Sequence, residues 1–181
     1  MIRPVPFAEA CRRTHLGFAF TTIVLVLAVA LCSIGPLIAA ADTTDPKAIG
    51  RSPSQGGKRI ALVIGNKDYQ DVPLRNPVND AEDLSGLLKR LGFSVTTKAN
   101  VDLREFDEAV DRFSREITGA EVALFYFSGH GCQARGENFL IPVGNVINDE
   151  SDLRYKAMNA GLVLDKMEQA KAGINIVILD A

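Results

Sequence analysis

The sequence predicts an α/β domain with a mostly parallel sheet and helices on both of its faces. Two observations carry that expectation. The runs Ile60 to Ile64 (IALVI) and Val122 to Phe127 (VALFYF) are apolar at every position, which suits strands buried on both faces rather than strands with one wet face. Between and after them the apolar residues fall at helical spacing, so strand and helix alternate along the chain.

The first strand ends at Gly65. Asn76-Pro77 then predicts a helix cap with proline in the first turn, and Val78, Ala81, Leu84, Leu87, Leu88 and Leu91 follow along one face. Asp80, Glu82 and Asp83 suit the positive amino end of that helix, Lys89 and Arg90 its negative carboxyl end, and Gly92 stops it. Phe93 to Thr97 predicts a second strand, and Leu103, Phe106, Val110, Phe113 and Ile117 a second helix ending at Gly119. The third strand is the run that ends at Phe127. Phe139 to Val143 is extended and predicts a hairpin with the residues after His130, turning at Gly136. A third helix near Gly161 to Ala170 leads to a fourth buried strand, Ile174 to Leu179.

Ahead of this domain, Arg3, Arg12 and Arg13 precede an uncharged stretch from Leu16 to Ala41. Residues 1–41 therefore read as a signal peptide or membrane anchor, outside the fold. Gly35-Pro36 breaks the apolar segment before Ala39, Ala40 and Ala41, so cleavage after Ala41 is expected; the alternative is an uncleaved tether through residues 16–38. The protein is accordingly expected in the periplasm or the medium, or else held in the inner membrane facing the periplasm. Residues 42–57 are rich in Thr, Asp, Ser, Gly and Pro and predict a flexible linker, leaving 58–181 as the domain.

With 47% hydrophobic and 23% charged residues, and 20 basic against 22 acidic side chains for a net charge of −2, neither a disordered tail nor a strongly basic nucleic-acid binder is indicated. No nucleic-acid partner is expected. Once residues 1–41 are removed, Cys132 is the only cysteine and His130 the only histidine. A lone thiol forms no internal disulfide, and one Cys with one His is too few for a usual zinc site, so no metal and no other cofactor is expected.

In parallel α/β sheets ligands gather at the carboxyl ends of the strands, where the strand order reverses. That rule selects Gly65 to Tyr69 (GNKDY), Ser128 to Gly131 (SGHG) and Asp180-Ala181. A histidine between glycines can bring its ring and the neighbouring N–H groups close to a substrate, although an isolated histidine is as readily an ordinary surface or core residue. Other motifs fail: no phosphate-binding G-x-x-x-x-G-K-[ST] follows the first strand, a G-x-S-x-G elbow would need glycine at Tyr126, and a guanine-reading Asn-Lys-x-Asp would need aspartate at Tyr69.

Five segments in order carry a resemblance: Arg59 to Tyr69 (RIALVIGNKDY), Leu74 to Ala81 (LRNPVNDA), Tyr126 to Gly131 (YFSGHG), Asn138 to Pro142 (NFLIP) and Ile176 to Ala181 (IVILDA). Together they resemble the caspase and metacaspase family of cysteine endopeptidases, in particular its bacterial members. The resemblance spans residues 58–181 and implies a caspase-like three-layer sandwich, here truncated after the fourth strand of a mostly parallel sheet.

In that family a cysteine thiolate attacks the peptide carbonyl while a histidine manages the protons. The resemblance makes His130 that acid/base and the N–H of Gly131 one oxyanion-hole donor. It puts the nucleophile immediately after Asp180-Ala181, where the sequence ends. Cys132 reads instead as a small hairpin residue, since it shares a loop with the base. Asp80, Ser128 and Asp180 match the metacaspase substrate pocket, whose two carboxylates favour Arg or Lys before the scissile bond, although Arg75 stands near where a caspase-like arginine would select Asp. The expectation is thus an endopeptidase domain acting on peptide or protein substrates, inactive as given and in want of a C-terminal small-subunit segment. The alternative is a non-catalytic caspase-like scaffold or peptide-binding pseudoprotease.

Overall fold

The computed structural model of the chain describes residues 57–181. The predicted signal peptide or tether and all of the predicted linker except Gly57 lie outside the described residues. No helix among the described residues is long and apolar enough to cross a membrane.

Elements follow in the order β1 (Arg59–Gly65), α1 (Pro77–Arg90), β2 (Ser94–Ala99), α2 (Leu103–Glu116), β3 (Val122–Ser128), β4 (Gly131–Ala134), β5 (Glu137–Leu140), a 3-10 turn (Glu150–Asp152), α3 (Leu153–Lys156), β6 (Met158–Asn159), α4 (Ala160–Gln169) and β7 (Ile174–Asp180). Four strands form one sheet in the order β2-β1-β3-β7, every neighbouring pair parallel. The chain leaves β1 toward β2 through α1 and returns to the other side of β1 through α2. Strand order therefore reverses between β1 and β3, and their carboxyl ends open the crevice in which α/β sheets place ligands.

The period-2 alternation of the strands divides the core into two layers. Leu62, Ile64, Phe125 and Phe127 pack with Phe106, Val110 and Phe113 of α2 and Met167 of α4. Ala61, Val63, Leu124 and Tyr126 face the other way, onto Ala81 and Leu88 of α1. The three layers are thus α1, sheet, and α2 with α4. Lys166 of α4 ties the outer pair of helices by ion pairs to Asp107 and Asp111 of α2, and Asp102 and Glu105 close a reciprocal capping box that starts α2.

Three sequence expectations are corrected. Asn76 precedes α1 but its side chain makes no capping bond, and Pro77 alone marks the start. The buried face of α1 is narrower than its apolar residues suggested, because Leu87 and Leu91 face solvent and Ser85 lies inside, bonded to Thr97 Oγ1 at 2.7 Å. The fourth strand is not buried: β7 lies at the sheet edge, with Ile174 55% and Ile178 40% exposed. The reason is that α1 packs on β1, β2 and β3, so the isoleucines of β7 on that face are left uncovered.

The predicted hairpin is present as β4 and β5, closed by Arg135-Gly136, and β6 extends it into a small antiparallel sheet that the sequence did not suggest. A strand of two residues is too short to show a period.

An apolar edge strand with open N–H and C=O groups is a template for pairing with other chains. The double substitution Ile174→Lys with Ile176→Lys should lower concentration-dependent light scattering of the purified chain without lowering its unfolding midpoint. Unchanged scattering would show that this edge does not drive association.

Candidate active site

The crevice between β1 and β3 is organised by Asn66, the residue just past β1. Its side chain is completely buried. Its backbone N–H donates to Ser128 O at 2.9 Å, its Nδ2 donates to Val101 O at 3.3 Å and Ile141 O at 3.4 Å, and its Oδ1 accepts from Val101 N–H at 2.9 Å. Asn66 thus joins the ends of β1 and β3 through its backbone N–H and ties them to the segments that follow β2 and β5 through its carboxamide. Asn100, with φ of 52°, fixes the next stretch, its Oδ1 accepting from the N–H groups of Lys67 and Asp68 at 2.8 and 3.1 Å.

That stretch leads to Tyr69 and Val72, which meet His130. The imidazole Nε2 lies 2.7 Å from Val72 O. A carbonyl only accepts, so Nε2 carries the proton and, in the neutral ring, Nδ1 is the basic nitrogen. His130 N–H donates to Tyr69 Oη at 2.9 Å, and the two ring centroids are 4.4 Å apart. Burial pushes the Tyr69 phenol up to about 12, against the lowering effect of its bonds with His130 and Asn66.

Gly131, next to the histidine, begins β4. A Cβ at this position would lie 2.7 Å from the Cβ of Ala181, so the residue is glycine because the end of β7 packs against it. At the same end Gly129 N–H donates to Asp180 O at 3.2 Å, and Ser128 Oγ donates to Asp180 Oδ2 at 3.2 Å. Ser128 and Asp180 are register partners in the parallel ladder, which is why they meet. The exposed Asp80, in the first turn of α1, belongs to the same neighbourhood. Burial holds the Tyr126 phenol above its ordinary range; the Ser128 hydroxyl opposes that shift, and the charges of Asp180 and Asp80 add to it.

The predicted site residues therefore fall into two adjoining groups, His130 with Gly131 and Asp80 with Ser128 and Asp180. Tyr126 was missed as the group on which both carboxylates act, and Asn66 and Tyr69 were read only as members of a strand-end motif. Their signal was a polar pair immediately after a wholly apolar strand. Cys132, the only cysteine among the described residues, lies in β4, two residues past His130.

Cavity size does not point to the chemistry. A cavity of about 800 Å³ is lined by Leu103, Phe139, Tyr155 and Leu162 and does not include His130, whereas one of about 30 Å³ does. Among the described residues no group of three or more His, Cys, Asp or Glu side chains could hold a metal ion.

Residues 58–181 match the family model described as Caspase domain. The chain belongs to the caspase domain family. Among curated proteins this caspase domain is 31% identical over 126 residues to mucosa-associated lymphoid tissue lymphoma translocation protein 1 of Homo sapiens, a match covering 67% of the chain and 15% of that protein. It is 32% identical over 78 residues to Caspase a of Danio rerio, covering 41% of the chain and 20% of the relative. The chain thus spans a small part of the curated relatives it matches. Among solved structures, the Drosophila initiator caspase Dronc superposes with a TM-score of 0.54 at 16% identity, covering 83% of this chain and 63% of that one. The likeness bears out the predicted caspase-like α/β fold.

Replacing Asn66 by Ala would leave the buried Val101 N–H without its acceptor. Urea unfolding should show a loss of about 2 kcal/mol, the usual cost of one orphaned buried group. A loss within experimental error would mean that the strand ends are held together without this carboxamide.

Proposed function

We propose that residues 58–181 carry the acid/base and oxyanion half of a caspase-like cysteine endopeptidase site, with the nucleophilic cysteine following Ala181 in the active protein. The observation that carries this reading is the packing of Ala181 against Gly131. A residue that follows Ala181 would therefore emerge beside the loop that carries His130.

Each residue then has a chemical task. Val72 O holds the imidazole in the tautomer that leaves Nδ1 basic, so the ring can take the thiol proton. The thiolate attacks the peptide carbonyl, negative charge develops on its oxygen, and the Gly131 N–H helps to stabilise it. The imidazolium then gives its proton to the leaving amine, and water releases the acyl group from sulfur. Asp80 and Asp180, whose charges act on one buried phenol, favour Arg or Lys before the scissile bond, with Ser128 orienting Asp180.

A non-catalytic, peptide-binding reading has one observation in its favour. The only cysteine among the described residues, Cys132, follows His130 by two residues at the start of the β4–β5 hairpin rather than at the end of the neighbouring strand, a placement that does not suit attack on a peptide carbonyl.

The chain of 181 residues should not hydrolyse Arg, Lys or Asp peptide reporters, and turnover by it that is lost on His130→Ala would contradict the position given to the nucleophile. A longer form with cysteine after Ala181 should cleave after Arg or Lys and lose at least about 100-fold in kcat on His130→Ala. Asp80→Asn should reduce its preference for basic over acidic reporters. If that longer form binds peptide without cleaving it, the scaffold reading stands instead.

A further inference from the structure

The loop after β1 touches His130 at two places that a single side chain makes consistent. Val72 O meets the ring at Nε2, and Tyr69 Oη meets the backbone N–H. The same hydroxyl donates to Ile141 O at 3.0 Å, so it bridges the segment after β3 to the segment after β5. The Tyr69 ring lies against the imidazole, tilted by 52°. Space for the hydroxyl exists because residue 129 is glycine: a Cβ there would lie 2.5 Å from Tyr69 Oη. The loop is itself held in shape, with Tyr69 N–H and Leu74 N–H both donating to Lys67 O at 3.0 and 2.9 Å. With its pKa pushed up to about 12, the phenol keeps its proton at neutral pH and can donate and accept at once.

We propose that Tyr69 is the positioning residue of His130: its hydroxyl fixes the histidine backbone at the distance from Val72 that keeps the imidazole in the Nε2–H tautomer. This rests on reading His130 as the acid/base, and it adds a residue that touches neither substrate nor nucleophile. Ring stacking alone would let the imidazole slide along the phenol face, since contacts of that kind are weakly directional. A hydrogen bond to the backbone amide fixes where the Cα stands. The rotamer and the Nε2–carbonyl contact follow from that position. Asp71 lines the same small cavity as His130, and it remains in the variants below.

The test is imidazole nitrogen NMR on the full chain, with His15→Gln so that one histidine signal remains. In the parent the Nε2–H form should dominate. Tyr69→Phe keeps the ring and removes the hydroxyl; it should move His130 toward a mixture of tautomers and speed exchange of its amide proton at least about tenfold, the effect of losing one hydrogen bond. Gly129→Ala, which keeps the tyrosine but displaces its hydroxyl, should give the same signature. Parental tautomer and exchange in Tyr69→Phe would overturn the proposal, whatever the peptidase activity. In a cysteine-bearing longer form, Tyr69→Phe should lower kcat about tenfold with KM within about twofold. A shifted tautomer with unchanged kcat would uphold the positioning and contradict the acid/base role of His130.

Discussion

The buried Asn66 carboxamide, which accepts from Val101 N–H and donates to Val101 O and Ile141 O, is the contact on which the geometry of this crevice depends. A parallel sheet ends in a row of carbonyls and amides whose next residues leave in different directions. Without a shared partner those segments would be fixed only by their own turns. Asn66 gives the exits from β1, β2, β3 and β5 one common point. Because the amide is buried, breaking any one of its bonds leaves a polar group unpaired. The loop that carries Tyr69 and Val72 starts from that point, so the setting of His130 inherits its precision from a residue that is in no contact with the ring.

The electrostatics of the second group follow from the sheet. Parallel register brings Asp180 level with Ser128, and both project on the side where α1 supplies Asp80. Tyr126 lies beneath them, two residues before Ser128 on the same strand face. Two carboxylates over one buried phenol make a place of negative potential that would be unfavourable for an acidic side chain and favourable for a cationic one. The exposed position of Asp80 keeps that attraction modest and sensitive to salt.

Much of this was legible in the sequence. The doubly apolar runs of β1 and β3 gave parallel central strands, helical spacing gave α2 and α4, and glycines round His130 at a strand end singled out the crevice. Other features were hidden for physical reasons. Ile174 to Leu179 has the composition of a buried strand, but burial depends on which helix covers it, and α1 covers the three other strands. Leu87 and Leu91 fit the apolar stripe of α1 yet face solvent, because that helix needs only a narrow stripe against the sheet. Asn66 and Tyr69 act through partners 35 to 75 positions away in sequence, and no local pattern encodes such pairings.

The central claim is that whatever follows Ala181 meets an imidazole prepared to take its proton. The direct measurement is the pH dependence of alkylation of a single cysteine appended after Ala181, in a chain carrying Cys11→Ser, Cys32→Ser and Cys132→Ser. An ordinary thiol reacts with a midpoint of about 8.5. Beside His130 the midpoint should lie clearly below that value and return to the ordinary one on His130→Ala. An ordinary midpoint with and without His130 would contradict it.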